Sequence, residues 1–368
     1  MHRPNSQFNT IYLNEEKKIT DYKLIKVVET LLCNRRLFVI LEGKKSRRRT
    51  QRNKLPQGSV LAPILYNVYT NDQPILIQPG EKCFIFADDV ALAMKGNNFE
   101  EVESKMNISL QSMLVYYLKN HLKPNTDKTQ TCAFHLRNRQ AKRKLKIIWR
   151  GKYFEHTTFP KYLGVTLDRS LTFKQHCENT RQKINARNSL IRELTGSTWG
   201  ANPHTLRVSA LSLCFSVGEF ASPAWSRSTH VKQVDVALNE SCRLITVCLK
   251  NTPLGKVFPL SGIAPPVIRR GSLLKSSQIL ERNQDEERID RWKLSLDTEA
   301  KNWMVPAEHL LPGNNLEWSV WRTINGLRTH TMANLMNCPS CSTSCTMDDI
   351  MSATEEGIEV AKFWQERI

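Results

Sequence analysis

The stretch that most constrains the fold is CFIFADDVALAMKG, residues 83–96, in which two adjacent aspartates separate two apolar runs. Short runs rich in β-branched and aromatic residues, divided by a polar pair, predict a β-hairpin. Because both runs are almost wholly apolar, we expect this hairpin to lie in a core. Asp88 and Asp89 then have two interpretations: a polar turn whose side chains bond nearby backbone, or a carboxylate pair that holds a divalent cation.

The pattern on either side of the hairpin mixes strands with helices, which predicts an α+β fold. Short apolar runs predict strands over 36–43, 128–136 and 162–167. In the turn before the second predicted helix, Gly58 permits a tight bend and Ser59 is the expected N-cap. Apolar residues at helical spacing predict helices over 21–33, within 55–72, and over 99–122, 173–194, 203–220, 230–249 and 271–294.

The charge balance indicates a polyanionic partner. The chain has 53 Lys and Arg against 35 Asp and Glu, a net charge of +18, and a strongly cationic surface attracts nucleic acid. Two basic runs, 44–54 and 137–152, concentrate the positive charge, and the first has a basic residue at seven of its eleven positions. Such a run is interpreted either as a solvated loop or as a contact for phosphates.

Cysteine usage and hydropathy predict an intracellular protein, in the nucleus or the cytoplasm. The ten cysteines are spread along the chain without the compact spacing of a disulfide framework, so we expect most to be reduced and buried. No secretory signal is apparent at the N-terminus. The longest apolar stretch, 208–225, is interrupted by Glu219 and is too short and mixed to span a bilayer, so no membrane partner is expected.

Four short motifs, in order, give the chain a specific resemblance. They are LPQGSVLAP (55–63), FADDVALA (86–93), LKPNTDKTQ (122–130) and YLGVTLD (162–168). Together they resemble the reverse transcriptase of non-LTR retrotransposons, especially the jockey-like metazoan elements. The similarity continues beyond these motifs and covers most of the chain from residue 24 to about 350.

The resemblance implies a fold and a function. The expected fold is a partial polymerase palm, an antiparallel sheet with packed helices, followed by a helical thumb-like region. The palm would occupy 1–170, with its first 20 or so residues poorly ordered, the thumb and connector 171–300, and a C-terminal region 301–368. The implied activity is RNA-directed DNA synthesis by two-metal nucleotidyl transfer with Mg²⁺ or Mn²⁺. Its partners would be an RNA template, a DNA primer or target, and deoxynucleoside triphosphates.

The same resemblance assigns roles to individual residues. The metal-binding aspartate would be Asp88, with Asp89 as its supporting neighbour. Lys128 would lie near the incoming phosphates as an electrostatic stabiliser or proton donor; the other interpretation is an exposed lysine at a strand edge. The nucleotide- and template-binding turn would be Pro56, Gln57, Gly58 and Ser59, and the hairpin that grips the primer end would contain Tyr162, Leu163 and Gly164.

One part of the family pattern has no counterpart in these residues. The palm needs a further carboxylate from a strand upstream of Pro56, and the only upstream aspartate, Asp21, is the expected N-cap of a helix. We therefore expect little or no polymerase activity. The alternatives are a non-catalytic nucleic-acid-binding protein derived from such an element and a degenerate copy without function, which should show no folded transition.

The C-terminal region contains a cysteine cluster. Cys338, Cys341 and Cys345 supply three of the four ligands of a zinc site. Where the family pattern has a histidine, this chain has Asp348 and Asp349. We therefore expect a degenerate, metal-free cluster, with zinc binding as the alternative.

Overall fold

The computed structural model describes residues 22–33, 35–50, 58–73, 78–196, 199–276, 284–296, 309–329 and 346–365. These residues form two compact units. The first consists of Met1–Ala133 with Asn138–Thr157, and the second of Phe134–Arg137 with Thr158–Ile368. Helices and small, mostly antiparallel sheets occur together, which confirms the predicted mixed class at this level. In the part of the chain that is described, no helix has the length and apolar character needed to cross a membrane.

The first unit combines helices with two-stranded sheets. Its helices are Tyr22–Leu32 (α1), Leu61–Tyr69 (α2) and Phe99–Lys119 (α3). Its strands are Arg36–Leu37 (β1), Ile40–Leu41 (β2), Lys44–Lys45 (β3), Arg49–Thr50 (β4), Glu81–Phe86 (β5), Asp89–Met94 (β6), Gln130–Thr131 (β7), Ile148–Trp149 (β8), Lys152–Tyr153 (β9) and Glu155–His156 (β10). Strand β1 pairs with β4, β2 with β3, β5 with β6 and β8 with β9, all antiparallel, whereas β7 and β10 are parallel.

The second unit is mainly helical. It begins with an antiparallel pair, Lys161–Tyr162 (β11) and Val165–Thr166 (β12). Its helices are Lys174–Arg192 (α4), Pro203–Ala210 (α5), Ser216–Glu219 (α6), Ser222–Trp225 (α7), Lys232–Thr246 (α8), Leu254–Ser261 (α9), Pro266–Ser276 (α10), Gln284–Ser295 (α11), Trp318–Arg328 (α12), Met347–Ser352 (α13) and Glu355–Gln365 (α14). A π-helical segment, Leu211–Phe215, joins α5 to α6.

Helix–helix packing forms the core of the second unit. Ile184 and Ile191 of α4 and Leu238 and Ile245 of α8 are fully buried. Each pair is seven residues apart, so both members lie on one face of their helix. Burial of one such side chain contributes about 1.5–3 kcal/mol relative to exposure. The periodicity that predicted these helices therefore also identifies their core-facing side.

Two strand predictions needed correction: 36–43 is one side of a hairpin, divided into two short strands, and 162–167 is itself a hairpin. Residues 36–43 do not form one strand: β2 ends at Leu41, and the chain turns through Glu42 and Gly43, where φ is 49° and 76°. In 162–167, the turn lies at Leu163 and Gly164, where φ is 44° and 84°. Positive φ is readily adopted by glycine, so Gly43 permits the reversal that ends the first segment and Gly164 permits the reversal within the second.

Three helix predictions also needed correction. The segment 203–220 is divided by its π-helical portion, and 271–294 contains the end of α10 and most of α11. Helix α2 has Val60, rather than Ser59, at its N-cap position. The Ser59 hydroxyl nevertheless accepts a hydrogen bond from the Leu61 backbone N–H at 3.3 Å, so it still satisfies a donor at the helix start.

Candidate active site

The aspartate pair lies at the tip of the β5–β6 hairpin. All six residue pairs of the ladder are in register, and the last pair joins Phe86 to Asp89, so the hairpin prediction is confirmed. The connecting turn is Ala87 and Asp88, and Asp89 is already the first residue of β6. Ala87 has a φ of 51°, the left-handed conformation that tight two-residue hairpin turns require at a central position. Both carboxylates are exposed.

The expectation that this hairpin lies in a core was wrong. Phe84, Ile85 and Phe86 are 49%, 42% and 62% exposed. Among the described strands, β5 and β6 pair only with each other. A two-stranded sheet has no neighbouring strand to cover its edges, so apolar side chains near its tip remain in contact with solvent. The carboxylates therefore lie at an open surface with an apolar flank.

The other end of the hairpin is anchored by a buried carboxylate. Glu81 is 5% exposed. It accepts hydrogen bonds from the Ser109 hydroxyl of α3 at 2.8 Å and from the Gln78 backbone N–H at 3.0 Å. A buried charge needs such donors to offset its lost hydration. The anchor therefore holds β5 against α3 and leaves the aspartate end projecting.

Helix α2 places an aromatic hydroxyl within electrostatic range of the aspartates. Burial raises the pKa of Tyr66, and the negative charge of Asp88 raises it further. Tyr66 lies seven residues after Ser59 in sequence, so the turn with the family motif leads directly into the helix that carries this tyrosine. Sequence reasoning missed Tyr66. The only available signal was its place in the helix that follows this motif.

The predicted nucleotide-binding turn is described only in part. Gly58 has a φ of 82°, a left-handed backbone that favours glycine, so the expectation of a tight turn at this position is confirmed. Ser59 is half-buried at the start of α2. Pro56 and Gln57 lie outside the described residues.

Lys128 lies in an exposed turn just before β7. The Asn125 side-chain oxygen accepts hydrogen bonds from the backbone N–H groups of Asp127 and Lys128, at 3.1 and 3.3 Å. The Thr129 hydroxyl donates to the Asn125 carbonyl at 2.8 Å. An Asx-type turn of this kind holds the backbone and leaves the lysine side chain in solvent. This placement is compatible with both interpretations of Lys128.

Tyr162, Leu163 and Gly164 form one end of the β11–β12 hairpin in the second unit. Gly164 approaches the ring of Phe220 so closely that an added Cβ would lie 2.9 Å from a ring carbon. Phe220 follows α6 and is 53% exposed. Leu163, at the tip, is 38% exposed. The turn therefore presents an apolar surface made by two residues that are distant in sequence.

Asp168 and His176 connect the β11–β12 hairpin to the start of α4. Asp168 accepts hydrogen bonds from the backbone N–H groups of Thr172 and Phe173, at 3.0 and 2.6 Å. Burial opposes ionisation of Asp168, but these bonds and those from the side chains of Thr172 and Ser170 lower its pKa below the ordinary carboxyl value. The His176 ring Nδ1 accepts a hydrogen bond from the Thr166 N–H at 3.2 Å. The hairpin is thus attached to the start of α4.

The donor chemistry of Asp88 and Asp89 fits a hard divalent cation. Mg²⁺ and Mn²⁺ prefer carboxylate oxygens, and Mg²⁺ sites often use one or two carboxylates with water and substrate phosphates. Within the described residues, no group of three His, Cys, Asp or Glu side chains could hold a metal ion. The pair therefore has the ligand type that such an ion prefers, but two carboxylates alone would fill only part of a coordination sphere.

Several predictions concern residues outside the described ranges. They include the expected helix cap at Asp21 and the zinc alternative at Cys338, Cys341 and Cys345. Asp349, which follows that cluster, is described: it forms a reciprocal capping box with Thr346 at the start of α13. One of the two aspartates at the position where the resemblance predicts a histidine thus has a clear structural role.

Comparison with known proteins finds a family match in the first part of the chain. Residues 5–167 match the reverse transcriptase (RNA-dependent DNA polymerase) family model. The chain is 26% identical over 271 residues to the probable RNA-directed DNA polymerase from transposon BS of Drosophila melanogaster, covering 71% of this chain and 30% of that protein. It is 29% identical over 176 residues to the RNA-directed DNA polymerase from mobile element jockey of the same species, covering 46% of this chain and 19% of that protein.

A third relative matches over a similar length. The chain is 24% identical over 270 residues to a Pol polyprotein from a type-1 retrotransposable element, R1 2, of Nasonia vitripennis, covering 65% of this chain and 66% of that protein. No solved structure matches the chain significantly. The chain thus spans less than a third of the BS and jockey polymerases. It carries a reverse transcriptase domain and is homologous, at modest identity, to the RNA-directed DNA polymerases of non-LTR retrotransposons.

Proposed function

We propose that the β5–β6 hairpin is the nucleotidyl-transfer site of this reverse transcriptase domain. The observation that carries the proposal is the exposed Asp88–Asp89 pair at the tip of a fully registered hairpin, within residues that match the family model. Asp88 and Asp89 would hold Mg²⁺ or Mn²⁺. Such an ion, when bound, activates the attacking oxygen and neutralises charge on the leaving phosphate.

The other residues act on the substrates directly. The left-handed turn at Gly58 lets backbone approach a nucleotide closely, since no side chain intervenes. Lys128 can neutralise phosphate charge from its exposed turn. The Tyr162–Gly164 hairpin would bind the primer end. In this proposal residues 1–170 are the palm, 171–300 the thumb and connector, and 301–368 a C-terminal region.

We further propose that the chain of 368 residues has little or no polymerase activity by itself. In the described part of the chain, no third acidic, histidine or cysteine side chain completes a metal-binding group with the pair. With fewer protein ligands, a cation is held more weakly at the reacting phosphates. Primer extension on an RNA template, with Mg²⁺ or Mn²⁺, tests this proposal. We expect no product above that of Asp88→Ala; extension well above this control would overturn it.

Non-catalytic nucleic-acid binding is the second candidate function. The net charge of +18 favours it, because phosphate contacts need cations but no metal site. A template–primer duplex that binds wild type and Asp88→Ala equally, with no extension by either, would support binding alone. Loss of binding in Asp88→Ala would instead tie the affinity to the aspartate pair.

A further inference from the structure

A second hairpin of the first unit projects into solvent along its whole length. Its two ladders, β1–β4 and β2–β3, are joined where the Ser46 N–H donates to the Val39 carbonyl at 2.8 Å and the Val39 N–H donates to the Ser46 hydroxyl at 2.9 Å. The chain reverses at Glu42 and Gly43. Every residue from Arg36 to Thr50 is exposed. We call residues 36–50 the basic arm.

The basic arm exposes several large apolar side chains to solvent. Val39, Ile40 and Leu41 are 62%, 56% and 73% exposed. An isolated two-stranded hairpin is marginally stable at best, because it has no core to offset its conformational entropy. A bound partner would therefore stabilise the folded arm.

Charge identifies the chemistry of that partner. The arm contains one acidic residue, Glu42, and none of its cations forms an ion pair with a described residue. The Lys45 ammonium lies 5.7 Å from the ring centre of Phe38, so this charge stays at the surface beside an aromatic face. The cations are Arg36, Lys44, Lys45, Arg47, Arg48 and Arg49. Six cations against one acid favour a polyanion.

The register of the arm argues against a membrane or an apolar protein surface. Ile40 is paired with Lys45 and Leu41 with Lys44, and consecutive residues of a strand point to opposite faces. Apolar and cationic side chains are therefore mixed on both faces, so no face is purely apolar. The side of the arm that follows the turn, residues 44–50, carries cations on both faces. A row of phosphates can bind along these cations without covering an apolar surface.

We propose that the basic arm binds the phosphate backbone of a template–primer duplex. This inference rests on the proposed nucleic-acid substrate but does not require catalysis. Lys and Arg contacts to phosphate release counterions, so binding weakens as the salt concentration rises. For a duplex, each lost contact makes the slope of log K against log salt less steep by about 0.9.

Fluorescence anisotropy with a labelled RNA–DNA duplex of about 20 base pairs, between about 50 and 200 mM salt, tests the proposal. The variant replaces the five cations of residues 44–50: Lys44→Gln, Lys45→Gln, Arg47→Gln, Arg48→Gln and Arg49→Gln. We expect the Kd at 0.1 M salt to rise at least about tenfold and the slope to fall by about 4 to 5, the value for five lost contacts. Replacing the three arginines by lysine instead retains the charge and should preserve the slope.

The second basic run provides a control with the same change of charge. Its exposed cations are replaced as Arg137→Gln, Arg139→Gln, Lys142→Gln, Lys144→Gln and Lys146→Gln. The inference is overturned if this control weakens binding as much as the arm variant, or if the arm variant binds as wild type does. Binding to phosphatidylserine vesicles is measured in parallel. The inference is also overturned if the arm variant loses vesicle binding and keeps duplex binding.

The outcomes separate this inference from the proposed function. If wild type does not bind the duplex, both fail. If wild type binds and the arm variant has an unchanged slope, only the arm inference fails. If Asp88→Ala and wild type bind equally and the arm variant binds weakly, the arm inference stands whatever the polymerase assay shows. Circular dichroism of each variant checks that the fold is retained.

Discussion

Gly164 combines a backbone requirement with a steric one. Its φ of 84° favours glycine, and an added Cβ would approach Phe220 to 2.9 Å. We expect Gly164→Ala to lower the free energy of unfolding of the second unit by about 1–2 kcal/mol from the left-handed backbone alone. Urea denaturation measures the change. Combining Gly164→Ala with Phe220→Ala should recover only the part of the lost stability that arises from contact of the new Cβ with the ring.

Gly255 provides the control for this substitution. It lies in α9 and has no positive φ, and an added Cβ there would meet no other atom within 4 Å. Alanine has a higher helix propensity than glycine by up to about 1 kcal/mol. Gly255→Ala should therefore be neutral or slightly stabilising. Equal destabilisation by both substitutions would contradict the role assigned to the Gly164 backbone.

His176 makes the stability of the second unit depend on pH. It is 6% exposed, and burial, followed by the charge of Lys183, lowers its pKa below the ordinary value of 6.5. The unfolded chain then binds a proton at a higher pH than the folded chain does. The contribution of His176 is therefore fully favourable above pH 6.5, and stability is lost as pH falls from 6.5 towards the lowered pKa.

Urea denaturation of wild type and His176→Gln at about pH 8 and about pH 5 checks this prediction. The variant should lose less stability between the two pH values than wild type does. His204→Gln, at an exposed position, is the control and should keep the wild-type dependence. A pH dependence that is the same in wild type and His176→Gln would contradict the assignment.

At the scale of single elements, α3 depends on a specific cap. The Asn98 side chain accepts a hydrogen bond from the Glu101 N–H at 2.8 Å, and Glu100 and Glu101 lie in the first turn. We expect Asn98→Ala to lower the free energy of unfolding of the first unit by about 1 kcal/mol. Thermal or urea denaturation gives the value. Asn97→Ala, one residue earlier and also exposed, should change stability by much less.

Two hairpins of the first unit show how far an element can be predicted. Apolar runs with a polar pair between them were sufficient to predict the β5–β6 hairpin, but they placed its turn one residue too late, because the turn lies at Ala87 and Asp88. For 36–43 the apolar run predicted the turn near Gly43 but contains no signal for the break between β1 and β2. Exposure of Phe86 could not be predicted either. It depends on whether another strand lies beside β5, which is a tertiary property.

At the scale of the second unit, a buried ion pair links two helices. Arg270 of α10 lies 2.5 Å from Asp235 of α8, with side chains 5% and 17% exposed; the contact is close and ionic, without the angle of a hydrogen bond. Arg270 also lies 5.8 Å from the ring centre of Trp225. Removing one partner leaves the other charge buried and unpaired, which costs about 3–5 kcal/mol. We therefore expect Asp235→Ala to destabilise the unit by this amount.

The surface pair of Arg192 and Glu240 is the comparison for this prediction. These groups are 2.9 Å apart, but their side chains are 53% and 39% exposed. Solvent screening limits such a pair to about 0–1 kcal/mol. Glu240→Ala should therefore have a small effect in the same urea assay. A loss as small for Asp235→Ala would show that Arg270 finds another partner.

Local sequence patterns were enough to predict most helices, the aspartate hairpin, the cationic character and the resemblance to non-LTR reverse transcriptases. These properties depend on periodicity, turn residues and composition, which a linear sequence contains. The packing of Phe220 on Gly164, the exposure of the apolar hairpin and the influence of the Asp88 charge on Tyr66 were visible only once the chain was folded. Contacts between distant residues arise from packing of whole elements, and the local pattern does not specify which surfaces meet.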